Sequence, residues 1–344
     1  MKPFLKIEKP NMDLSCLQWS INKNLLAFSD SYEPILSIWD IEKKNQLFEF
    51  KFQEPIIFFQ WFKNNLELIC SDSSHIYQVK LKSSEIIKMN SIPPLINFSF
   101  SEKDNIAIGI NSSTLYVFNT SNSQWKLAKE LQLDDTIELF SFNQRRKIAA
   151  CYYRNNIKLF DINLELKESF PNQIFDLFVI EWDSIGNSLF FGDYYANVIQ
   201  WEIDKNEIIH KEKFIDKTRY NDYYYDSSEA TLYFEGDKWF PKSLEHYYDP
   251  KLESLIDECI NHNFGEPIHD IKFHPSGKYY AIAPNQNKIY LLGYPENSVI
   301  SEISKLKDKT NKVVWNSDGK YLAVYEHKNH INTYKLKNIL KNKD

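Results

Sequence analysis

A chain of 344 residues with 43% hydrophobic and 15% aromatic side chains has the material for a large core, and needs neither disulfides nor metals to hold it. Its formal net charge of −6 argues against electrostatic binding of nucleic acid as the main activity. Cys16, Cys70, Cys151 and Cys259 are widely spread and form no C-x-x-C pair, which points to reduced, buried thiols and excludes a disulfide framework. The N-terminal "MKPFLKIEKP" has no apolar run of signal-peptide length, and no segment approaches the roughly 20 apolar residues of a membrane span. A cytoplasmic or nuclear protein is expected, neither secreted nor inserted in a membrane.

In chain order, "PFLKIEK" (3–9) reads as an isolated strand, and "LQWSINKNLLAF" then opens a hairpin of two apolar strands about a polar turn. The same hairpin returns as "FQWFKNNLELIC", "FSFSEKDNIAIG", "FSFNQRRKIAAC", "IEWDSIGNSLFF", "YYYDSSEATLYF", "IKFHPSGKYYAI" and "VVWNSDGKYLAV". Its anchoring aromatics are Trp19, Trp61, Phe100, Phe142, Trp182, Tyr225, Phe273 and Trp315, spaced by 39 to 48 residues. Gly186, Gly277 and Gly319 stand four residues after their anchors, where a tight turn needs positive φ, and Asn65 and Asp104 hold the same place in two other copies. A third strand follows in most copies ("ILSIWDI", "IYQVKL", "LYVFNT", "IKLFDI", "VIQWEI", "IYLLGY", "INTYKL"), and a fourth such as "QLFEFKF" or "EIIHKEKF" leads onward. Four short antiparallel strands per repeat make the blade of a β-propeller.

With "SIWDI" at 37–41, the related "KLFDI" and "IQWEI", and the "HPSGKYYAI" and "NSDGKYLAV" hairpins, the sequence resembles the WD-repeat family over nearly its whole length. The resemblance implies an all-β fold, one closed propeller spanning 1–344. After "INTYKL" (331–336) only "KNILKNKD" remains, so the last blade lacks an outer strand and the N-terminal segment is expected to supply it.

The sixth copy decides the blade number. "YYDSSEATLYFEGD" (224–237) matches "EWDSIGNSLFFGD" (181–193) in its Asp-Ser, Leu-aromatic and Gly-Asp pairs, and without Tyr225 the gap from Trp182 to Phe273 is 91 residues, about two periods. Eight blades are therefore preferred, with seven blades plus an insertion over 216–264 as the alternative. Within the 237–264 stretch, "DPKLESLIDECINHNFG" (249–265) reads as a short amphipathic helix, with Asp249 as N-cap, Pro250 in the first turn and Gly265 at the stop. Its apolar stripe either seals an incomplete blade or docks a partner. Residues 216–264 hold eleven acidic side chains against five basic, and seven of the 21 tyrosines. Tyr223, Tyr224, Trp239, Tyr247 and Tyr248 are accordingly candidate contacts for basic segments of a partner protein. On the loops between second and third strands, Asp30, Tyr32, Asp72, Arg154, Tyr194, Tyr195 and His327 are further contact candidates.

Linear catalytic signatures are absent. "PSGKYY" lacks the upstream glycine and the Ser or Thr of a phosphate loop, and no G-x-S-x-G or H-E-x-x-H occurs. His262, His269 and His274 lie close in sequence, but strand alternation turns neighbours to opposite faces, against convergent metal ligation. "NQRRK" and "KLKDKTNK" read as solvated turns. No catalytic residue, metal, cofactor or small-molecule ligand is expected. The reading is a non-catalytic scaffold for protein-protein interaction within a larger intracellular complex. Its alternatives are an enzyme with a polar site in the central channel, or a reader of peptides or modified residues with an aromatic cage at the channel mouth.

Overall fold

The computed structural model describes residues 2–341 except 22, 63–65, 102, 121–124, 173, 175, 195, 214–225, 228–229, 236–237, 242–266, 285–286, 305, 308 and 327. Seven four-stranded antiparallel sheets form, six pairing their strands in simple succession and the seventh taking its outer strand from the N-terminus. Their innermost strands are Leu14–Trp19, Phe58–Phe62, Asn97–Ser101, Leu139–Asn143, Leu177–Trp182, Ile268–Phe273 and Thr310–Trp315, which define blades 1 to 7. Each inner strand touches the next, and the seventh touches the first, so the chain is a β-propeller.

Strand alternation sends apolar side chains to both faces of a blade, and neither face can be buried without a neighbour. Apolar cores therefore fill the seams between blades rather than the blades themselves. Between blades 1 and 2, Ala27, Leu36 and Ile38 meet Phe59, Trp61 and Leu68. Between blades 4 and 5, Ala150, Ile157 and Leu159 meet Trp182, Leu189 and Phe191. In every blade the anchor pairs with the residue seven positions later, from Trp19 with Leu26 to Trp315 with Leu322. Gly186, Gly277 and Gly319 hold positive φ as expected, at 85°, 69° and 70°. Where glycine is missing, in blades 3 and 4, the left-handed residue is Asn105 or Lys147, one place beyond the expected position. In blade 3, Asp104 instead accepts the Ser101 hydroxyl.

The ring has seven blades, which corrects the preference for eight. Blade 5 packs directly on blade 6: Val179, Phe190 and Val198 share a core with Ile268, Ile271, Tyr280 and Ile282. No sheet separates them. The sixth sequence copy does form a hairpin, and its strands Asp226–Ser227, Ala230–Glu235 and Lys238–Pro241 make a three-stranded sheet of their own. Its sequence likeness to a blade specifies local pairing, which a hairpin satisfies alone, whereas membership of the ring needs two apolar faces matched to neighbours. The helix expected in 237–264 lies outside the described residues. Among those described, the one helix is Leu336–Ile339, whose Ile339 enters the seam between blades 6 and 7 while Ser301 Oγ donates to its carbonyl at 2.7 Å.

The N-terminal strand Leu5–Met12 pairs antiparallel with Lys328–Lys335 and completes blade 7. Ile7 and Met12 join a core made from blades 1 and 7, and Tyr325 Oη donates to the Met12 carbonyl at 2.6 Å. Cys16, Cys70 and Cys151 are buried free thiols, in line with the sequence reading, and burial pushes the Cys16 thiol up to about 11.

The turns on the lower face stitch blades together. His274 of blade 6 lies between the turns that join the first and second strands of blades 6 and 7: its Nδ1 accepts the Ser276 N–H at 3.0 Å, which leaves Nε2–H to donate to the Gly319 carbonyl of blade 7, also at 3.0 Å. A Cβ at Gly319 would strike that imidazole, and φ there is already unfavourable for an L side chain. Gly319→Ala is expected to lower stability by about 2 kcal/mol. Urea unfolding of the two proteins measures the difference.

Candidate functional site

The upper face of the propeller carries the loops between second and third strands together with the connectors between blades. Its loops are built on buried carboxylates. Asp30 Oδ1 accepts the N–H groups of Tyr32 and Glu33, and Asp72 Oδ1 accepts those of Ser74 and His75. Asp72 Oδ2 also accepts the Tyr77 hydroxyl at 2.8 Å, and burial followed by this bond raises that phenol to about 12. Asp193 repeats the device on Asn197. An Asp at the end of a second strand thus folds the turn by supplying acceptors to otherwise unpaired amides. Asp30 and Asp72, expected as contacts, are buried and spend their oxygens inside the loop.

Tyr32 sits on the loop that Asp30 shapes and is 75% exposed. Arg154 occupies the left-handed region at φ 50° and pairs with Asp134 at 2.5 Å, with Asp135 nearby at 3.7 Å. Tyr194 lies at the seam of blades 5 and 6, stacked at 6.3 Å on Phe178, which in turn lies 4.8 Å from the His269 ring. Phe178 and Tyr194 are both 38% exposed, so the stack offers solvent a rigid aromatic step. It stands beside the points where the chain leaves blade 5 at Lys213 and enters blade 6 at Ile268. Tyr195, His327, Tyr223, Tyr224, Tyr247 and Tyr248 lie outside the described residues. Trp239 belongs to the separate three-stranded sheet, opposite Phe234.

The inner strands of blades 5, 6 and 7 place four charges along the wall of the ring. Lys272 Nζ meets Glu181 Oε2 at 2.5 Å and Asp270 Oδ1 at 3.8 Å, and Lys312 Nζ meets Asp270 Oδ2 at 3.7 Å. Asp270 is buried and also accepts the Val313 N–H at 3.0 Å. Burial pushes the Glu181 carboxyl above its ordinary range against the pull of Lys272. The carboxylates in turn hold the Lys272 ammonium above the ordinary lysine value, against the opposing effect of burial. The four charges compensate one another. Among the described residues no three His, Cys, Asp or Glu side chains come together as a metal site.

Sequence reading missed Phe178 as a partner of Tyr194, and it missed the charged cluster. The signal was present. Glu181 and Lys272 each stand immediately before an anchor, inside apolar strands where a charge requires a partner. The chain matches no protein-family model, and no curated protein aligns with it significantly.

Removing Lys272 leaves the partly exposed Glu181 and the buried Asp270 with Lys312 alone. Lys272→Met is expected to cost about 1 to 2 kcal/mol at neutral pH, less than the loss of a partner from a fully buried pair. Adding Glu181→Gln should recover most of that loss. Chemical denaturation of the two variants and the parent gives both numbers.

Proposed function

We propose that the protein is a non-catalytic scaffold, WD-repeat-like, that binds other proteins within a larger cytoplasmic or nuclear assembly. The observation that carries this reading is the exposed Phe178 and Tyr194 stack, held on the rim of blade 5 where His269 of blade 6 packs against it. Rigid aromatics supply contact area at little entropic cost, and a propeller face presents many loops from one unyielding frame. Propellers commonly serve as interaction scaffolds. The acidic, tyrosine-rich segment 216–264, which lies in sequence between blades 5 and 6, favours partners with basic segments.

The rival enzyme reading looks for carboxylates and histidines converging on the ring axis. Glu181 and Asp270 are on the inner strands, but each is neutralised by lysine, which supports a structural role for them.

The test is to purify the tagged protein from native extract, alongside the Phe178→Ala/Tyr194→Ala double variant. Proteins recovered in stoichiometric amounts with the parent should be lost from the variant, while its thermal midpoint stays within about 2 °C because both side chains are exposed. Recovery of no stoichiometric partner, or of an unchanged set, would overturn the reading.

A further inference from the structure

Among the described residues, the lower rim between blades 1 and 2 differs from the five seams that run from blade 3 round to blade 1. From blade 3 round to blade 1, a polar side chain reaches from each lower turn to its neighbour. Lys147 pairs with Asp104, Asn143 packs on Gly186, Ser184 on Gly277, His274 bonds Gly319, and Asn316 bonds Asn24. Where blade 1 meets blade 2, Ser20 Oγ instead turns back to the Lys23 carbonyl in its own turn. The neighbouring turn presents Leu66, which is 48% exposed. The equivalent position, five residues after the anchor, is polar in the other six blades: Asn24, Asn105, Lys147, Asn187, Lys278 and Lys320. An exposed leucine there serves no turn geometry.

Leu66 instead lines an open groove of about 390 Å³ together with Leu47, Phe48 and Leu81. Leu47 is itself 38% exposed. Three lysines, Lys23, Lys43 and Lys82, rim the groove, and Asp40 is the one acidic residue in its lining. Lys43 pairs with that carboxylate at 3.6 Å, whereas Lys23 and Lys82 have no ion-pair partner among the described residues. A chain with a net charge of −6 has therefore concentrated positive charge around an exposed apolar slot.

We propose that this groove binds an acidic peptide segment of a partner protein, with bulky aliphatic side chains in the slot and carboxylates against Lys23 and Lys82. The volume falls at the small end of ligand sites, about 300 to 1,000 Å³, which suits a few side chains of a short motif. Paired charge and apolar contact give moderate affinity that weakens as salt screens the lysines. The site lies on the face opposite the Phe178 and Tyr194 stack, so the proposal stands whether or not that stack binds a partner.

The experiment is fluorescence anisotropy of the full chain with a short fluorescein-labelled peptide of leucine and glutamate, and with a control peptide in which lysine replaces glutamate. Saturable binding of the acidic peptide is expected at low ionic strength, with Kd below about 100 μM, and none of the basic one. Lys23→Glu/Lys82→Glu should weaken it at least about tenfold. Leu66→Asn, which restores the residue type used in other blades, should weaken it similarly without changing the thermal midpoint. No saturable binding, or binding that both variants leave intact, would overturn the proposal. So would capture of phosphatidylserine vesicles through the same lysines without capture of the peptide.

Discussion

The ring depends on one recurring contact, in which an indole N–H crosses from a blade to the inner strand before it. Trp61 Nε1 donates to the Gln18 carbonyl, Trp182 to Ser141, Trp315 to Lys272 and Trp19 to Val314, at 3.0 to 3.4 Å. Each acceptor is the residue just before the preceding anchor. The inner strand of a blade is a sheet edge, so alternate carbonyls have no strand to pair with, and an indole buried beside it needs an acceptor. Where the anchor is tryptophan, one bond answers both requirements and fixes the height of the blade against its neighbour. The bond from Trp19 to Val314 does so across the closure, where the first blade meets the last. In blades 3 and 4 the anchors are Phe100 and Phe142, which cannot donate, and in blade 6 the anchor is Phe273, which cannot donate either. There the ion pair of Lys272 with Glu181, at the positions just before the two anchors, links the same two strands.

Most of this was legible because it is periodic. The anchors, the glycine turns and the N-terminal strand that completes blade 7 all follow from spacing and from what each segment lacks. The blade count was not, because Asp226 pairs with Thr231 in the register that Phe62 and Glu67 use in blade 2. Hairpin likeness is local information, and ring position is decided by which faces find partners. The contact candidates were separated by the fold in a similar way. Asp30 and Tyr32 share a loop and look equally polar in sequence, yet the carboxylate folds inward to cap amides while the tyrosine remains outside.

Both candidate binding surfaces arise where the repeat departs from its own pattern. Blades 5 and 6 meet directly although the chain between them is long, and that seam carries the exposed aromatic stack. Among the described residues, the seam of blades 1 and 2 lacks the polar stitch found from blade 3 round to blade 1, and that seam carries the lysine-rimmed slot. A closed ring tolerates such departures because every blade retains two packed faces. Sites placed on opposite rims can then be occupied together without competing for the frame.

The account rests on blades 5 and 6 forming a seam without help from the residues between them. Replacing residues 214–266 by the connector 52–57 that joins blades 1 and 2, then following hydrogen exchange during urea unfolding, tests this most directly. The amides of Leu177–Trp182 and Ile268–Phe273 should remain as protected as those of Leu14–Trp19, with a single cooperative transition. Selective loss of protection in those two strands, or failure of the shortened chain to fold, would contradict a seven-bladed ring.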